Sequence, residues 1–190
     1  MEFPNWFNYT AKENFEKFLI PLAGQQNLYF LQLGVYTGDA SVWLLNNVLT
    51  GAGTLLLDVD TWEGSDEDAH KSISFSAVYE LYKKRMEPYD NLRSVRNNTY
   101  NFLLSNKERN NLFDFIYIDA DHTTVGVLMD AELSFPLLKS GGIMAFDDYT
   151  WGAEMPPHLT PALGIDLFLE RHEGEYETLV INSQVWIKKI

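Results

Sequence analysis

Two short apolar runs that each break off in acidic residues constrain this chain more than anything else in it. Residues 115–118 read Phe, Ile, Tyr and Ile, and stop at Asp119, Ala120, Asp121 and His122. One helix-length later, Gly141 and Gly142 lead into Ile143, Met144, Ala145 and Phe146, which stop at Asp147, Asp148 and Tyr149. Unbroken apolar runs of this length suit parallel strands covered on both faces. In an open parallel sheet, ligands bind in the crevice beyond the carboxyl ends of the strands. The two runs therefore predict an α/β fold in which Asp119, Asp121, His122, Asp147 and Asp148 gather at one rim. Carboxylates offer hard oxygen ligands of the kind that hold Mg²⁺, Ca²⁺ or Mn²⁺. His122, three residues past Asp119, is placed to act as a general base. Two adjacent aspartates ending a buried strand are costly without a counter-ion, which favours the metal reading. The plainer role for Asp121 and His122 is helix capping ahead of Thr123 and Thr124.

The rest of the chain supplies the other layers of such a sheet. Residues 10–23 carry Phe15, Phe18, Leu19 and Leu22 at helical spacing, with Thr10 and Glu13 as a capping box and Pro21 kinking or ending the helix. A turn at 24–27 precedes a first strand at 28–33, and a helix at 39–49 follows the glycine turn 34–38. A second strand is expected at 54–59, a polar loop at 63–71 and a helix through Tyr82. A short third strand at 92–95 and a helix opening at 100–104 come next. The fourth strand at 113–118, a helix at 125–138, a turn at 139–142 and a fifth strand at 143–146 complete the parallel part. The proline-rich stretch 150–161 reads as a loop and 161–172 as a helix. Residues 176–181 and 184–188 read as a hairpin around Asn182 and Ser183. This alternation predicts a three-layer αβα sandwich in one domain, 1–190, with 1–27 as a helical extension.

The remaining motifs cluster where such a sheet binds ligands. Gln32, Gly34, Tyr36, Thr37, Gly38 and Ser41 lie between the first strand and its helix. Glycine there permits a tight turn and close backbone approach, and the helix start presents free N–H groups. The G-x-x-x-G spacing is neither the G-x-G-x-x-G of dinucleotide enzymes nor a triphosphate-binding loop. Asp60 ends the second strand at about the separation expected of a carboxylate that binds ribose hydroxyls. Asp58 shares its face but lies inside the strand, so it ranks below Asp60. Trp62 either borders a base or packs. Asn98 and Thr99, in a run of asparagines after the third strand, either read an adenine edge or turn the chain. Tyr149 and Trp151 could wall a substrate pocket. His70, His158 and His172 read as surface residues.

Bulk properties narrow the partners. Asp and Glu outnumber Lys and Arg by 27 to 14, a formal charge of -13, which opposes binding to a phosphate backbone. The dense basic cluster Lys83, Lys84 and Arg85 reads as a solvated helix face. With no cysteine there is no disulfide or thiolate site. No leader-like or membrane-spanning apolar stretch is evident, so the expectation is a cytoplasmic protein with no membrane partner.

Together these pieces resemble class I S-adenosylmethionine-dependent methyltransferases, and within them the group of macrocin-type and other sugar O-methyltransferases and cephalosporin-hydroxylase-like proteins. The resemblance covers residues 28–190. It is carried most by 114–122, by 137–149 and by the closing Gln184, Val185, Trp186, Ile187 and Lys188. It implies a Rossmann-like, mostly parallel seven-stranded sheet whose last hairpin strand runs antiparallel. It also implies a cofactor site of Gln32, Gly34, Tyr36, Thr37, Gly38, Ser41, Asp60, Trp62, Asn98, Thr99 and Asp119. Asp119, Asp147 and Asp148 fall on positions that bind a divalent cation, and His122 on that of the base. Where the group usually carries an acidic residue, this chain has Gln32.

The function expected from the sequence is Mg²⁺-assisted, S-adenosylmethionine-dependent O-methylation of a small hydroxylated acceptor, a sugar or glycan end, with His122 and Asp119 as catalytic residues. One alternative is a metal-free methyltransferase acting on another atom. The other is a methyltransferase-like fold serving as a non-catalytic nucleoside-binding or partner module. The N-terminal helix either covers the site or makes a homodimer contact.

Overall fold

The computed structural model describes residues 3–64 and 71–190. Strands β1 (Tyr29–Leu33), β2 (Leu55–Asp60), β3 (Leu92–Arg96), β4 (Phe113–Ile118), β5 (Leu138–Phe146), β6 (Tyr176–Ile181) and β7 (Val185–Lys189) form one sheet in the order β3-β2-β1-β4-β5-β7-β6. The first five run parallel, and β7 runs antiparallel to both β5 and β6. This is the mostly parallel seven-stranded sheet with an antiparallel C-terminal strand that the sequence resemblance implied. The sheet order reverses direction between β1 and β4, which opens a crevice at their carboxyl ends.

Strand periodicity divides the core into two layers. Phe30, Phe115, Tyr117 and Trp186 point to one face, under helices α2 (Lys12–Leu19), α3 (Asp39–Asn47) and α4 (Phe75–Met86). Leu31, Leu33, Ile116, Ile118, Met144 and Ile187 point to the other, under α5 (Thr99–Ser105), α6 (Thr124–Ser134) and α7 (Pro161–Arg171). Phe15 of α2 is fully buried and meets the rings of Phe115, Tyr117 and Trp186 edge-on at 5.7, 5.0 and 5.3 Å. Such aromatic contacts add to the area term, so this one side chain pins the N-terminal helices to the sheet.

Local chemistry sets where elements begin and end, in places differently from the sequence expectation. The single helix expected over 10–23 is broken. A helix α1 (Trp6–Thr10) is capped by the Asn5 side chain, which accepts from the Asn8 N–H at 3.0 Å. Thr10 Oγ1 donates back to the Trp6 carbonyl, so the Thr10–Glu13 capping box does not form. α2 then gives way to a 3₁₀ turn at Ile20–Leu22, because Pro21 cannot supply the helical N–H. Pro136 ends α6 in the same manner, at Ser134 rather than 138. The expected turn at 139–142 lies within β5. Between the pairs Phe113–Leu138 and Phe115–Ile143, β5 advances further than β4, so the glycines sit in a bulge. The loop expected over 63–71, with His70, lies largely outside the described residues. His172 is not a surface residue as expected: its ring packs between Phe135 and Phe168, at 4.7 and 4.6 Å, and bonds Glu132. Among the described residues no helix is long and apolar enough to cross a membrane.

Gly34 is where the fold tolerates least. Its φ is +82°, and a Cβ there would stand 1.8 Å from the Asp119 carbonyl oxygen. Gly141 has a similar φ of +79° but open space around it. Gly141→Ala should therefore cost only the left-handed backbone term, about 1–2 kcal/mol. Gly34→Ala should cost upwards of roughly 4 kcal/mol or fail to fold, because backbone rather than a flexible side chain blocks it. Urea unfolding midpoints of the two variants check this ordering.

Candidate active site

The carboxyl ends of β1, β2, β4 and β5 converge on one rim, and their register explains how. The Gly34 N–H donates to the Val59 carbonyl, the Asp119 N–H to the Leu33 carbonyl and the Asp147 N–H to the Ile118 carbonyl. Each strand tail is thus tied to its neighbour just where the polar residues begin. Along the glycine turn the backbone alternates in hand: Gly34, Tyr36 and Gly38 all have positive φ, at 82°, 52° and 78°. For tyrosine this conformation is costly and persists only where the surroundings hold it.

Asp60 does much of that holding. Its Oδ2 accepts from the Val35 and Tyr36 N–H groups at 2.7 and 3.0 Å, and its Oδ1 from the Trp62 N–H at 2.6 Å. The concave array of amides that could cradle an anion is therefore filled by the chain's own carboxylate. Three bonds leave Asp60 one open acceptor position on Oδ1, compatible with a ribose hydroxyl. Trp62 is buried, donates its indole N–H to the Tyr36 carbonyl at 2.9 Å and stacks on Tyr79 and Tyr82. The Trp6 ring lies 4.7 Å from the Tyr36 ring, with Phe3 edge-on at 6.2 Å, so the N-terminal segment straps the same turn. Burial first, then the Asp39 carboxylate, pushes the Tyr36 hydroxyl up to about 12.

Other sequence-selected cofactor residues point elsewhere. Thr37 Oγ1 bonds Asp39 at 2.6 Å, and Arg85 clamps both the Thr37 carbonyl and the Asp39 carboxylate. Arg85 thus belongs to the site's support and not to a solvated basic face. Gly38 begins α3 and packs on Tyr82 and Met86. Gln32 and Ser41 are buried below the turn, where Ser41 bonds Asp58. Thr99 is turned inward, donating to Asp130 at 3.0 Å, while Asn98 is exposed and caps α5. A side chain on Thr99 bonded to α6 cannot also read a ligand edge in that rotamer.

At the acidic rim, Asp119, His122 and Asp148 present ligand atoms that all lie within 4.8 Å of one another. His122 Nε2 stands 3.1 Å from Asp148 Oδ2 and 3.7 Å from Asp119 Oδ1. Asp148 is held there in the left-handed region, φ 58°. Asp147, expected beside them as a ligand, instead has its oxygens drawn inward. Its Oδ2 accepts from Tyr117 Oη, and its Oδ1 from the Asp148 N–H at 2.9 Å and Gln184 Nε2 at 3.0 Å. Gln184 Oε1 in turn accepts from Asn14 and Trp186 at 2.8 and 2.9 Å. The structure thus groups His122, not Asp147, with the other two, because Tyr117 on β4, Gln184 just before β7 and the Asp148 backbone N–H hold Asp147 towards the sheet. Asp121 accepts from the Thr123 N–H at 2.8 Å, and Thr123, not Asp121, caps α6. Desolvation, then the Asp147 and Asp148 carboxylates, push the Asp119 carboxyl well above its usual range, and the His122 hydrogen bond opposes them. About a third of the Asp119 side chain remains open to solvent, so the rim is reachable.

The Trp151 ring stands 5.2 Å from His122, while Tyr149 bonds Asp166. A cavity of about 180 Å³ at the opposite edge of the sheet is lined by Leu22, Leu28 and Gly142, and its carboxylate, Asp114, is already bonded to Lys139.

A family model described as a methyltransferase domain matches residues 31–149, which contain the glycine turn and the whole acidic rim. The chain belongs to this methyltransferase family. Comparison with curated protein sequences finds no match. Among solved structures, the methyltransferase resembles an O-methyltransferase from Bacillus cereus in complex with S-adenosylhomocysteine, with 18% identity, 93% of this chain and 81% of that one covered, and a TM-score of 0.65. It also resembles a candidate rRNA methylase from Clostridium thermocellum, with 13% identity, 100% and 98% coverage and a TM-score of 0.67. The MycE methyltransferase of the mycinamycin biosynthetic pathway, in complex with Mg, S-adenosylhomocysteine and mycinamycin VI, matches with 18% identity and a TM-score of 0.61, and this chain, covered in full, spans 50% of it. At these identities the likeness concerns the fold. The family is thus that of a methyltransferase domain, and the fold is one shared with O-methyltransferases.

Two buried aspartates outside the rim set a pH dependence of stability. Burial pushes Asp58 and Asp130 up to about 7 each from 3.8, against hydrogen bonds from Ser41 and Tyr82 for the first and Thr99 for the second. Raised carboxyl values mean that the folded state binds protons that the unfolded state has released. Stability should therefore fall as pH rises from about 4 to about 7. Asp130→Asn should flatten part of that slope, read from urea unfolding at pH 5 and pH 8.

Proposed function

We propose that this methyltransferase transfers the methyl group to a hydroxyl oxygen of a small acceptor, a sugar or glycan end, with a divalent cation at the acidic rim. The convergence of Asp119, His122 and Asp148 beside the glycine turn carries the reading. A carboxylate-rich set with one imidazole suits Mg²⁺ or Mn²⁺ in an oxygen-dominated shell. Asp119 and Asp148 would hold the cation, which lowers the pKa of a neighbouring hydroxyl. His122 would take the acceptor proton, and Asp148, whose carboxylate lies 3.1 Å from His122 Nε2, would stabilise the imidazolium that forms. Asp147 would act by position: its bond to the Asp148 N–H fixes the left-handed turn that aims Asp148 at His122.

S-adenosylmethionine supplies the electrophilic methyl group. Asp60 Oδ1, with its open acceptor position, would take a ribose hydroxyl, and the turn 34–38 would border the amino-acid end. Trp151 offers an aromatic face beside the base, suited to the C–H face of a sugar ring. The likeness to MycE, whose structure holds Mg, S-adenosylhomocysteine and mycinamycin VI, supports the pairing of a metal with a small acceptor. The charge of -13 favours a small neutral acceptor over nucleic acid.

Methyl transfer to a panel of sugars and glycosides, with S-adenosylmethionine and Mg²⁺ or EDTA, tests the proposal. Activity should vanish in EDTA and return with Mg²⁺ or Mn²⁺. His122→Asn should lower kcat by roughly 10²–10⁴ while leaving S-adenosylhomocysteine affinity in place. Undiminished turnover in EDTA would favour the metal-free methyltransferase. Cofactor binding without turnover of any acceptor would favour the non-catalytic module.

A further inference from the structure

Below the glycine turn lies a carboxylate that the proposed chemistry does not use. Asp58 sits opposite Gln32 in the β1–β2 register and has no exposed surface. Its Oδ2 accepts from Ser41 Oγ at 2.7 Å and from Tyr82 Oη at 2.9 Å. Its Oδ1 is buried and has no hydrogen-bond partner among the described residues. The charge acting on it is a second anion, Asp60. A buried carboxylate with one oxygen bare is costly unless a positive group compensates it.

Asp58 is also wired to the turn. The Ser41 hydroxyl that donates to Asp58 stands 3.3 Å from Gln32 Oε1, and Gln32 Nε2 donates to the Gly34 carbonyl at 3.1 Å. A polar chain thus runs from Asp58 through Ser41 and Gln32 to the residue where β1 meets the tail of β4. The cofactor of this fold brings positive charge, in its α-ammonium group and its sulfonium. Gln32 hydrogen-bonds but carries none of the opposing charge.

We propose that Asp58 is a positioning residue for the ammonium end of S-adenosylmethionine: it supplies from below the negative charge that Gln32 lacks and sets the Gln32–Gly34 geometry that receives that end. The inference rests on the cofactor reading above. The buried anion is then compensated when the cofactor binds, which couples affinity for the amino-acid end to Asp58 specifically.

Calorimetric titration separates the parts. S-adenosylhomocysteine keeps the ammonium group, whereas 5′-methylthioadenosine lacks the whole amino-acid end. Asp58→Asn should weaken S-adenosylhomocysteine by about tenfold or more and leave 5′-methylthioadenosine within about twofold. Adding Gln32→Glu to Asp58→Asn should recover much of the loss. Tyr82→Phe, which removes one donor from the carboxylate and keeps the ring, should give a smaller selective loss, about fivefold. It also serves should Asp58→Asn not fold. An equal loss for both ligands, or no loss for either, would overturn the proposal. Failure of the unsubstituted protein to bind either ligand would instead overturn the cofactor reading.

Discussion

The close approach of Gly34 to the Asp119 backbone is the constraint on which the rest of the rim depends. A strand that must feed hydrogen bonds to β2 on one side and β4 on the other, and then turn sharply over both, leaves no room for a Cβ. Because Gly34 passes, the tails of β2 and β4 come together around it. Asp60 can then reach back to the Val35 and Tyr36 amides, and Asp119 stands beside the turn with its carboxylate at the rim. Any displacement at this point would move the candidate cofactor turn and the candidate base relative to each other.

Around that point, polar groups divide into those that build and those left available for chemistry. Asp60, Asp147, Gln32, Ser41 and Thr99 all spend most of their hydrogen-bonding capacity on the protein. Asp119, His122 and Asp148 are held close together with part of their surface open, although like charges and burial make that grouping unfavourable on its own. Strain at Asp148 and Tyr36 adds to the cost. The supporting network, from Asn14 through Gln184 and Asp147 on one side and from Asp58 through Ser41 on the other, holds both places, and a fold that only needed stability would have little use for them.

Much of the architecture was legible from pattern. The runs 115–118 and 143–146 are strands because nothing in them is polar enough to face water, and the alternation of such runs with helical stretches leaves few topologies. Boundaries were less legible. The broken N-terminal helix turns on the Asn5 cap and Pro21, and β5 extends back through a bulge that its glycines had disguised as a turn. At the site, residue type was readable but direction was not. Thr99, Ser41 and Trp62 have the right chemistry to touch a ligand, and each is instead turned into the protein by a partner distant in sequence. Gln184, expected to open the last strand, instead stands buried just before β7. Its partner Asn14 stands 170 positions away in the chain.

The sequence by itself determined the sheet, its ligand-binding edge and the set of acidic residues placed there, because strand periodicity and the abrupt change from apolar to acidic are local properties. Only the tertiary structure decided which carboxylates face one another. That depends on side-chain rotamers set by hydrogen bonds between strands remote in sequence: Tyr117 and Gln184 draw Asp147 inward, and a left-handed turn brings Asp148 to His122.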